Sequence, residues 1–152
     1  MLFRSKLFVI KYIIIMKSLV LKFGGSSQCI EGYEVIKNQI TINKEYNVFI
    51  VVSAIQNTTN LLYKIINHTE ETFSKICKIH YDLCDKLYLN KDTLKRALNS
   101  LKNDINIFET DPFTDITQQK IKIISYGEIL SVIILNEYLS SCEITCKQLN
   151  TR

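Results

Sequence analysis

Apolar positions divide the chain into two short unbroken runs and longer stretches with helical periodicity. The runs are Leu19-Val20-Leu21 and Val48-Phe49-Ile50-Val51-Val52, the second within residues 47–54. Runs of this kind, rich in branched side chains, predict strands that are buried on both faces of a sheet. Between them, four apolar residues recur at helical spacing: Ile30, Tyr33, Ile36 and Ile40. The pattern therefore predicts a β-α-β unit with two parallel strands.

The rest of the chain is predicted to be mostly helical. Residues 70–108 carry two apolar stripes that are separated near residues 90–92, which predicts a helical hairpin ending before Pro112. The stripes are Phe73, Ile76, His80, Leu83 and Leu87, and Leu94, Leu98, Leu101, Ile105 and Phe108. A further helix, capped by Thr114 or Asp115, runs through residues 125–131 and continues as a buried helix over residues 132–139. Gly127 indicates a break or a close approach there. Residues 143–149 alternate enough to predict a third strand near a sheet edge.

The first predicted strand ends in the hexad Lys22-Phe23-Gly24-Gly25-Ser26-Ser27. Adjacent glycines let backbone amides come close to a ligand, and successive amides before a helix start suit phosphate oxygens. Lys22 would add a positive charge beside them. The simpler alternative is a strand-to-helix turn with a solvated lysine, and the hexad alone does not decide between the two.

Polar residues also follow the second predicted strand and begin the last predicted helix. Because parallel strands end at the same edge of a sheet, Gly24 and Ser53 are expected to lie close together. Ser53 and Thr59 could hold a bound anion there, while Thr58 or Thr59 would also make a suitable helix N-cap. Glu128, next to a glycine, either receives a ligand ammonium group or complements the helix dipole.

Composition limits the class of protein. The 152 residues are 47% hydrophobic and 22% charged, with a net charge of +4, as in a soluble globular domain. Scattered lysines favour a small anionic ligand over nucleic acid. Five cysteines at irregular gaps indicate reduced thiols rather than disulfides or a zinc site. Residues 1–15 are too short and too interrupted by charge to span a bilayer; we interpret them as an extension before a start at Met16, with an organelle presequence as the alternative.

Three motifs, in their order and spacing, resemble the N-terminal half of an aspartokinase. They are the hexad at 22–27, then Ser53-Ala54 with Thr59-Asn60, then Ser125-x-Gly127-Glu128-x-Leu130-Ser131. Leu149-Asn150-Thr151-Arg152 is similar to the Leu-Asp-Ala-Arg segment of the family. The resemblance covers residues 16–152 as the N-terminal part of the kinase domain. It implies an α/β fold, a three-layer α/β/α sandwich with a mainly parallel sheet. Related amino acid kinases share the fold but lack the Ser-Gly-Glu segment in this form.

The resemblance implies a reaction and a set of site residues. The reaction is ATP-dependent phosphorylation of the side-chain carboxylate of L-aspartate, the first step towards lysine, threonine and methionine, in the cytoplasm. By position, the residues that would bind the ATP phosphates are Lys22, Gly24, Gly25 and Ser26, with Lys22 also catalytic, and those that would hold L-aspartate are Ser53, Thr59 and Glu128. Mg²⁺ would be carried by the nucleotide. An aspartate carboxylate, with a reference pKa of about 4, is already an ionised nucleophile at neutral pH, so no general base is needed.

The sequence also departs from the family pattern. Asn57 stands where the family usually has a small residue or glycine, although asparagine also adopts the left-handed conformation, and Asn150 replaces an aspartate. The glycine-rich second half of the kinase fold is missing, so we expect an incomplete kinase, inactive alone, with an exposed strand edge and apolar face. The expected partners are a second copy or a complementing kinase half, with neither membrane nor nucleic acid. The alternative is a non-catalytic remnant or partner subunit that keeps the aspartate-binding lobe.

Overall fold

A computed structural model describes residues 17–65, 69–111, 113 and 115–149. Strands β1 (Lys17–Phe23) and β2 (Tyr46–Val52) form a parallel pair, connected through helix α1 (Ile30–Ile42). The helices that follow in the described part are α2 (Thr58–Ile65), α3 (Thr69–Lys86), α4 (Asp92–Thr110), α5 (Ile116–Ile124) and α6 (Tyr126–Ser141). The predicted β-α-β unit is therefore confirmed. The N-terminal extension 1–15 and the segment 150–152 lie outside the described residues.

The helical layer covers one face of the two-stranded sheet. Phe23, Ile50 and Val52 point towards the helices and contact the hydrophobic core. Val20 and Phe49, which are register partners on the other face, are 64% and 42% exposed. The prediction of strands buried on both faces is thus wrong for the described residues, because no described helix lies against the second face. An exposed apolar face was expected for an incomplete kinase sheet, and the sheet has one.

The predicted helical hairpin is confirmed as α3 and α4. Ile76 and His80 of the first stripe are completely buried, as is Leu101 of the second. α3 ends at Lys86, and two residues later Tyr88 adopts a left-handed φ of 55°. The amide of Leu89 then donates to the carbonyl of Cys84. This is a helix-ending turn that satisfies the last carbonyls. Both stripes therefore form core rather than a ligand site.

The chain after α6 does not form the predicted third strand. Glu143 adopts a left-handed φ of 60°, and the amide of Ile144 donates back to the carbonyl of Leu139, which turns the chain at the helix end. Residues 145–149 are exposed and form no strand. Alternation of apolar residues predicts a strand only where a neighbouring strand can pair with it, and the described sheet consists of β1 and β2.

The last two helices form the one stretch of the described chain that is both long and apolar enough to be considered as a membrane span. By length and composition Ile116–Ser141 could cross a membrane, but 56% of its apolar window is buried inside the molecule, as in the core helix of a folded domain. The stretch is also interrupted at Ser125, between α5 and α6. Asp115 caps α5 as predicted, because its side chain accepts hydrogen bonds from the amides of Thr117 and Gln118.

Candidate functional site

The glycine turn directs its carbonyl groups into the protein. The carbonyl of Phe23 accepts from the amide of Ser53 at 3.0 Å, that of Gly24 from Ser27 at 3.0 Å, and that of Gly25 from Gln28 and Gln56 at 3.2 Å. In a trans peptide the C=O and the following N–H point in opposite directions. The amides of Gly24, Gly25 and Ser26 are therefore directed away from these partners. This is the arrangement that an anion requires.

The two glycines of the turn have different roles. Gly24 has φ −75° and ψ 172°, which any residue adopts, and a Cβ built there would meet nothing within 4 Å. A Cβ at Gly25 would lie 2.5 Å from the carbonyl oxygen of Ala54. Gly25 is thus required by close packing of the turn on the second loop, while the open space at Gly24 leaves room for a ligand.

Lys22 lies at the end of β1 beside the second loop. Its ammonium nitrogen donates to the hydroxyl oxygen of Ser53 at 2.7 Å. Lys22 is exposed, as the simple alternative of a solvated lysine also expects, and it has this one hydrogen bond to the second loop. Because a lysine ammonium carries three donors, this contact leaves two for a ligand. Ser53 Oγ accepts from Lys22, so its own proton is available for an acceptor such as a carboxylate.

The second loop, residues 53–57, leads directly into α2. Asn57 has the left-handed φ of 70° that the sequence allows. The predicted N-cap is wrong: Thr58 is already helical and completely buried, and its hydroxyl has no hydrogen-bond partner among the described residues. Asn57, with its left-handed backbone, is the residue directly before α2. The helix therefore starts at Thr58, at least one residue earlier than a Thr58 or Thr59 cap would require. Thr59 is half-buried in the first turn of α2.

The third segment packs on this loop through Gly127. A Cβ at Gly127 would lie 2.8 Å from Ala54 Cβ, 3.4 Å from Leu62 Cδ1 and 3.8 Å from Thr59 Oγ1. Both features that the sequence suggested for Gly127, a break and a close approach, are present, because α5 ends at Ile124 and α6 begins at Tyr126. Glu128 follows in the first turn of α6, with an exposed side chain.

The fold brings the three motif segments together around Ala54. The glycine turn contacts its carbonyl group and Gly127 contacts its methyl group, so Ala54 lies between the first and the third segment. We call this arrangement the three-segment site; it comprises residues 22–26, 53–59 and 127–128. It combines an ammonium group, outward-facing amides, two hydroxyls and a carboxylate. Such a set includes hydrogen-bond donors suited to an anion and a carboxylate suited to an ammonium group.

The three-segment site is an open edge rather than an enclosed cavity in the described structure. A cleft of about 370 Å³ lies nearby, between the start of α1 and the end of α3. It is lined by Gln28, Cys29, Ile30, Glu31, Ile55, Ile79, Asp82, Leu83 and Lys86. Only Ile55 belongs to the second loop, so this cleft does not contain the predicted ligand residues. Ligand chemistry, rather than cavity size, identifies the three-segment site.

Comparison with known proteins agrees with this geometry. Residues 17–152 match the model of the amino acid kinase family. The chain belongs to the amino acid kinase family. A search of curated proteins gives no match. This amino acid kinase chain is similar in fold to two structures of Escherichia coli aspartokinase III, one in complex with lysine and aspartate in the T-state and one with aspartate and ADP in the R-state.

The similarity in fold covers most of this chain but less than a third of each aspartokinase III chain. For the T-state structure the TM-score is 0.68 at 19% identity, covering 84% of this chain and 30% of the other. For the R-state structure the TM-score is 0.70 at 18% identity, covering 86% and 30%. The amino acid kinase chain thus spans about a third of the length of the aspartokinase III chains that it matches. The expected α/β kinase fold is confirmed.

Sequence reasoning missed two residues next to the site, Asp104 and Tyr126. Asp104 lies on the apolar stripe of α4, three residues after Leu101, and is only 6% exposed. Its carboxylate accepts a hydrogen bond from the hydroxyl of Tyr126 at 2.8 Å. A single acid on an otherwise apolar helix face was the available signal, because such a group needs a buried partner. That partner is the first residue of α6.

Proposed function

We propose that this amino acid kinase chain is the aspartate-binding part of an aspartokinase. The reaction would be ATP-dependent phosphorylation of the side-chain carboxylate of L-aspartate to 4-phospho-L-aspartate, the first step towards lysine, threonine and methionine. The observation that carries the proposal is the convergence of three aspartokinase-like motifs on Ala54. The fold likeness to an aspartokinase III structure that contains aspartate and ADP supports it. A cytoplasmic location is part of the proposal, as the resemblance to aspartokinases implies.

Phosphate binding is assigned to the glycine turn. Lys22 would neutralise charge on the transferring phosphoryl group, and the amides of Gly24, Gly25 and Ser26 would donate to its oxygens. The outward direction of these amides and the open space at Gly24 are consistent with a bound anion. The described residues contain no cluster of three or more metal-binding side chains. Mg²⁺ would be carried by the nucleotide, whose phosphate oxygens are ligands that Mg²⁺ commonly uses.

Aspartate binding is assigned to the second loop and the start of α6. Ser53 Oγ–H, oriented by Lys22, would donate to a substrate carboxylate, and the Thr59 hydroxyl would donate beside it. Glu128 would accept the α-ammonium group. Since the substrate carboxylate is already ionised, these residues only have to position it and limit repulsion from the phosphates. Bound Mg-ATP supplies the phosphoryl group and the metal charge.

The test of this assignment compares L-aspartate with succinate, which lacks the ammonium group. We expect the Glu128→Gln variant to bind L-aspartate about 10-fold or more weakly by calorimetry, because it loses a charged hydrogen bond worth about 1.5–3 kcal/mol. Succinate affinity should change little. Glu45→Gln, which neutralises another exposed acid, is the control. Equal effects of Glu128→Gln on both ligands, or no saturable aspartate binding by the wild type, would contradict the proposal.

The same protein preparation tests the phosphate assignment with a non-hydrolysable Mg-ATP analogue. Lys22→Ala should weaken its binding, while Lys17→Ala, which removes an equal charge from the start of the same strand, should not. Both lysines are exposed, so neither change should shift the free energy of unfolding by much more than about 0.5 kcal/mol. A large loss of stability in Lys22→Ala alone would instead indicate a structural role.

The alternative function is that of a non-catalytic partner that binds aspartate and acts only when paired with another chain. The exposed sheet face, with Val20 at 64% and Val51 at 45% exposure, favours a partner of some kind. A second copy and a complementing kinase half are both consistent with that face. Aspartate binding without phosphoryl transfer in any pairing would support this alternative.

A further inference from the structure

The first turn of α6, which carries Glu128, lacks the usual means of fixing a helix start. Ser125 precedes it, but its side chain makes no capping hydrogen bond to the amides of the turn. Its hydroxyl instead donates to the carbonyl of Lys122 at 2.5 Å. The first backbone hydrogen bond, from the amide of Ile129 to the carbonyl of Ser125, is long at 3.4 Å. A side-chain cap contributes about 1 kcal/mol at typical helix starts. Tertiary contacts of the turn therefore gain in importance for its position.

Side-chain hydrogen bonds from both sides of the α5–α6 break converge on Asp104 of α4. Lys122 in the last turn of α5 donates to Oδ1 at 2.6 Å, and Tyr126 at the start of α6 donates to Oδ2 at 2.8 Å. The side chain of Gln119 donates to the backbone carbonyl of Asp104 at 2.7 Å. Both carboxylate oxygens of a nearly buried acid are therefore satisfied by the two helices that meet at the break.

A close packing contact lies next to these hydrogen bonds in the same turn. Tyr126 is 8% exposed and bonded to Asp104, and the next residue, Gly127, is pressed against Ala54. Glu128 follows directly. The hydrogen bond of Tyr126 and the close contact of Gly127, on adjacent residues, both constrain where the first turn of α6 lies. The aromatic ring alone does not fix the rotation of the turn, because a hydrogen bond is directional and apolar packing is not.

We propose that Tyr126 and Asp104 are positioning residues that place Glu128 over the second loop for ligand binding. The proposal rests on the proposed function in so far as it names L-aspartate as the ligand. It goes beyond that function by giving the substrate-binding glutamate a buried support on α4. Neither residue touches the ligand in this arrangement. Their effect reaches it through the orientation of the turn that carries Glu128.

The chain contains a matched control on the same helix. Tyr138 is 5% exposed, and its hydroxyl donates to the Glu34 carboxylate at 2.6 Å. Tyr126→Phe and Tyr138→Phe therefore each remove a single hydroxyl from a buried ring that bonds a carboxylate. They differ in position, since Tyr138 lies three turns beyond Glu128 and contacts α1. A general loss of stability should appear in both variants, and a loss of positioning only in the first.

The experiment measures hydrogen exchange and ligand affinity on the wild type and both variants. We expect Tyr126→Phe to speed amide exchange in residues 126–131 and to raise the Kd for L-aspartate by about fivefold, with little change for the Mg-ATP analogue. Tyr138→Phe should leave the exchange of residues 126–131 and the aspartate Kd unchanged. Asp104→Asn, which cannot accept from both donors, should resemble Tyr126→Phe.

The two readouts separate failure of this inference from failure of the proposed function. Unchanged exchange in residues 126–131 of Tyr126→Phe, or the same change in Tyr138→Phe, would overturn the positioning role whether or not aspartate binds. Altered exchange confined to Tyr126→Phe, in a protein whose wild type does not bind aspartate, would support the positioning role and reject the ligand. Equal losses of aspartate and nucleotide affinity would point to general destabilisation and overturn the inference.

Discussion

At the scale of single residues, the environment of a polar side chain separates a structural role from a ligand role. Lys22 and Glu128 are exposed at the three-segment site, where a ligand could reach them. Asp104 and His80 are buried among apolar residues of α4 and α3. Buried groups of this kind affect stability first, since a charge in the interior must be paired or neutralised. His80 gives a direct test of this distinction.

His80 should make stability depend on pH near neutrality. Its Nδ1 lies 2.7 Å from the Ile76 carbonyl, and its buried Nε2 has no partner among the described residues. Burial lowers the pKa of His80 below its ordinary value. Below about pH 6.5 the unfolded chain therefore binds a proton that the folded chain does not, and the free energy of unfolding falls by up to about 1.4 kcal/mol per pH unit. Above that pH this loss of stability is absent.

Urea unfolding between pH 5 and 8 checks this expectation, with His80→Leu as the reference protein. The free energy of unfolding of the wild type minus that of the variant should be constant above about pH 7. It should become lower as the pH falls, because only the wild type loses stability through His80. Carboxylates such as Glu34, whose pKa is lowered by Lys37 and Tyr138, act at lower pH and are common to both proteins. A difference that does not vary with pH would show that His80 is not held neutral in the fold.

At the scale of elements, the contacts between loops and helix starts build the site. The loop after β2 touches the loop after β1 on one side and the start of α6 on the other. The break between α5 and α6 therefore belongs to the site as much as the glycine turn does. Gly127 is where this can be tested, because local helix propensity and tertiary packing make opposite demands there.

Gly127→Ala should destabilise the protein although alanine favours helix. The higher helix propensity of alanine should stabilise the fold by up to about 1 kcal/mol. The new methyl group, 2.8 Å from Ala54 Cβ, should destabilise it by about 1–3 kcal/mol through overpacking. We expect a net loss of about 1 kcal/mol by denaturant unfolding, together with weaker aspartate binding. In the background of Ala54→Gly, which removes the opposing methyl, the same change should be neutral or stabilising. A stabilising Gly127→Ala in the wild-type background would show that the contact is not tight.

At the scale of the whole molecule, the described helices cover one face of the sheet, and no described helix covers the other. The chain spans 30% of the length of the matched aspartokinase III chains. Its helices cover the face that carries Phe23 and Ile50, and the face that carries Val20 and Phe49 stays open. Exposed apolar faces of this kind mark interaction surfaces or aggregation sites. The proposed reaction also needs an adenine site. We expect that site on the complementing kinase half that would cover the open face.

The isolated chain should therefore form no aspartyl phosphate from ATP and L-aspartate, as measured by trapping with hydroxylamine. Co-expression with the remaining part of an aspartokinase domain should restore activity by covering the open face. Val20→Asp should block that rescue, while Val35→Asp, which places the same charge on a half-exposed valine of α1, should not. Activity of the chain alone, or equal effects of the two variants, would contradict this picture.

Sequence alone was sufficient for much of the fold and for the expectation that the first two loops meet. Apolar periodicity located β1, β2 and the helical hairpin, because burial imposes a period on each element whatever its neighbours are. The order of parallel strands predicted that Gly24 and Ser53 would meet, and the amide of Ser53 does bond the carbonyl next to Gly24. The glycine at 127 was expected to mark a break or a contact, and it marks both.

Only the tertiary structure decided which of these elements have partners. Residues 143–149 have a strand-like alternation but no strand to pair with, and β2 has an apolar face that no described helix covers. The bond from Lys22 to Ser53 and the support of Tyr126 by Asp104 join residues 31 and 22 positions apart. Local sequence determines what a segment can become. Long-range contacts decide what it touches, because a hydrogen bond or a close packing contact depends on both partners in three dimensions.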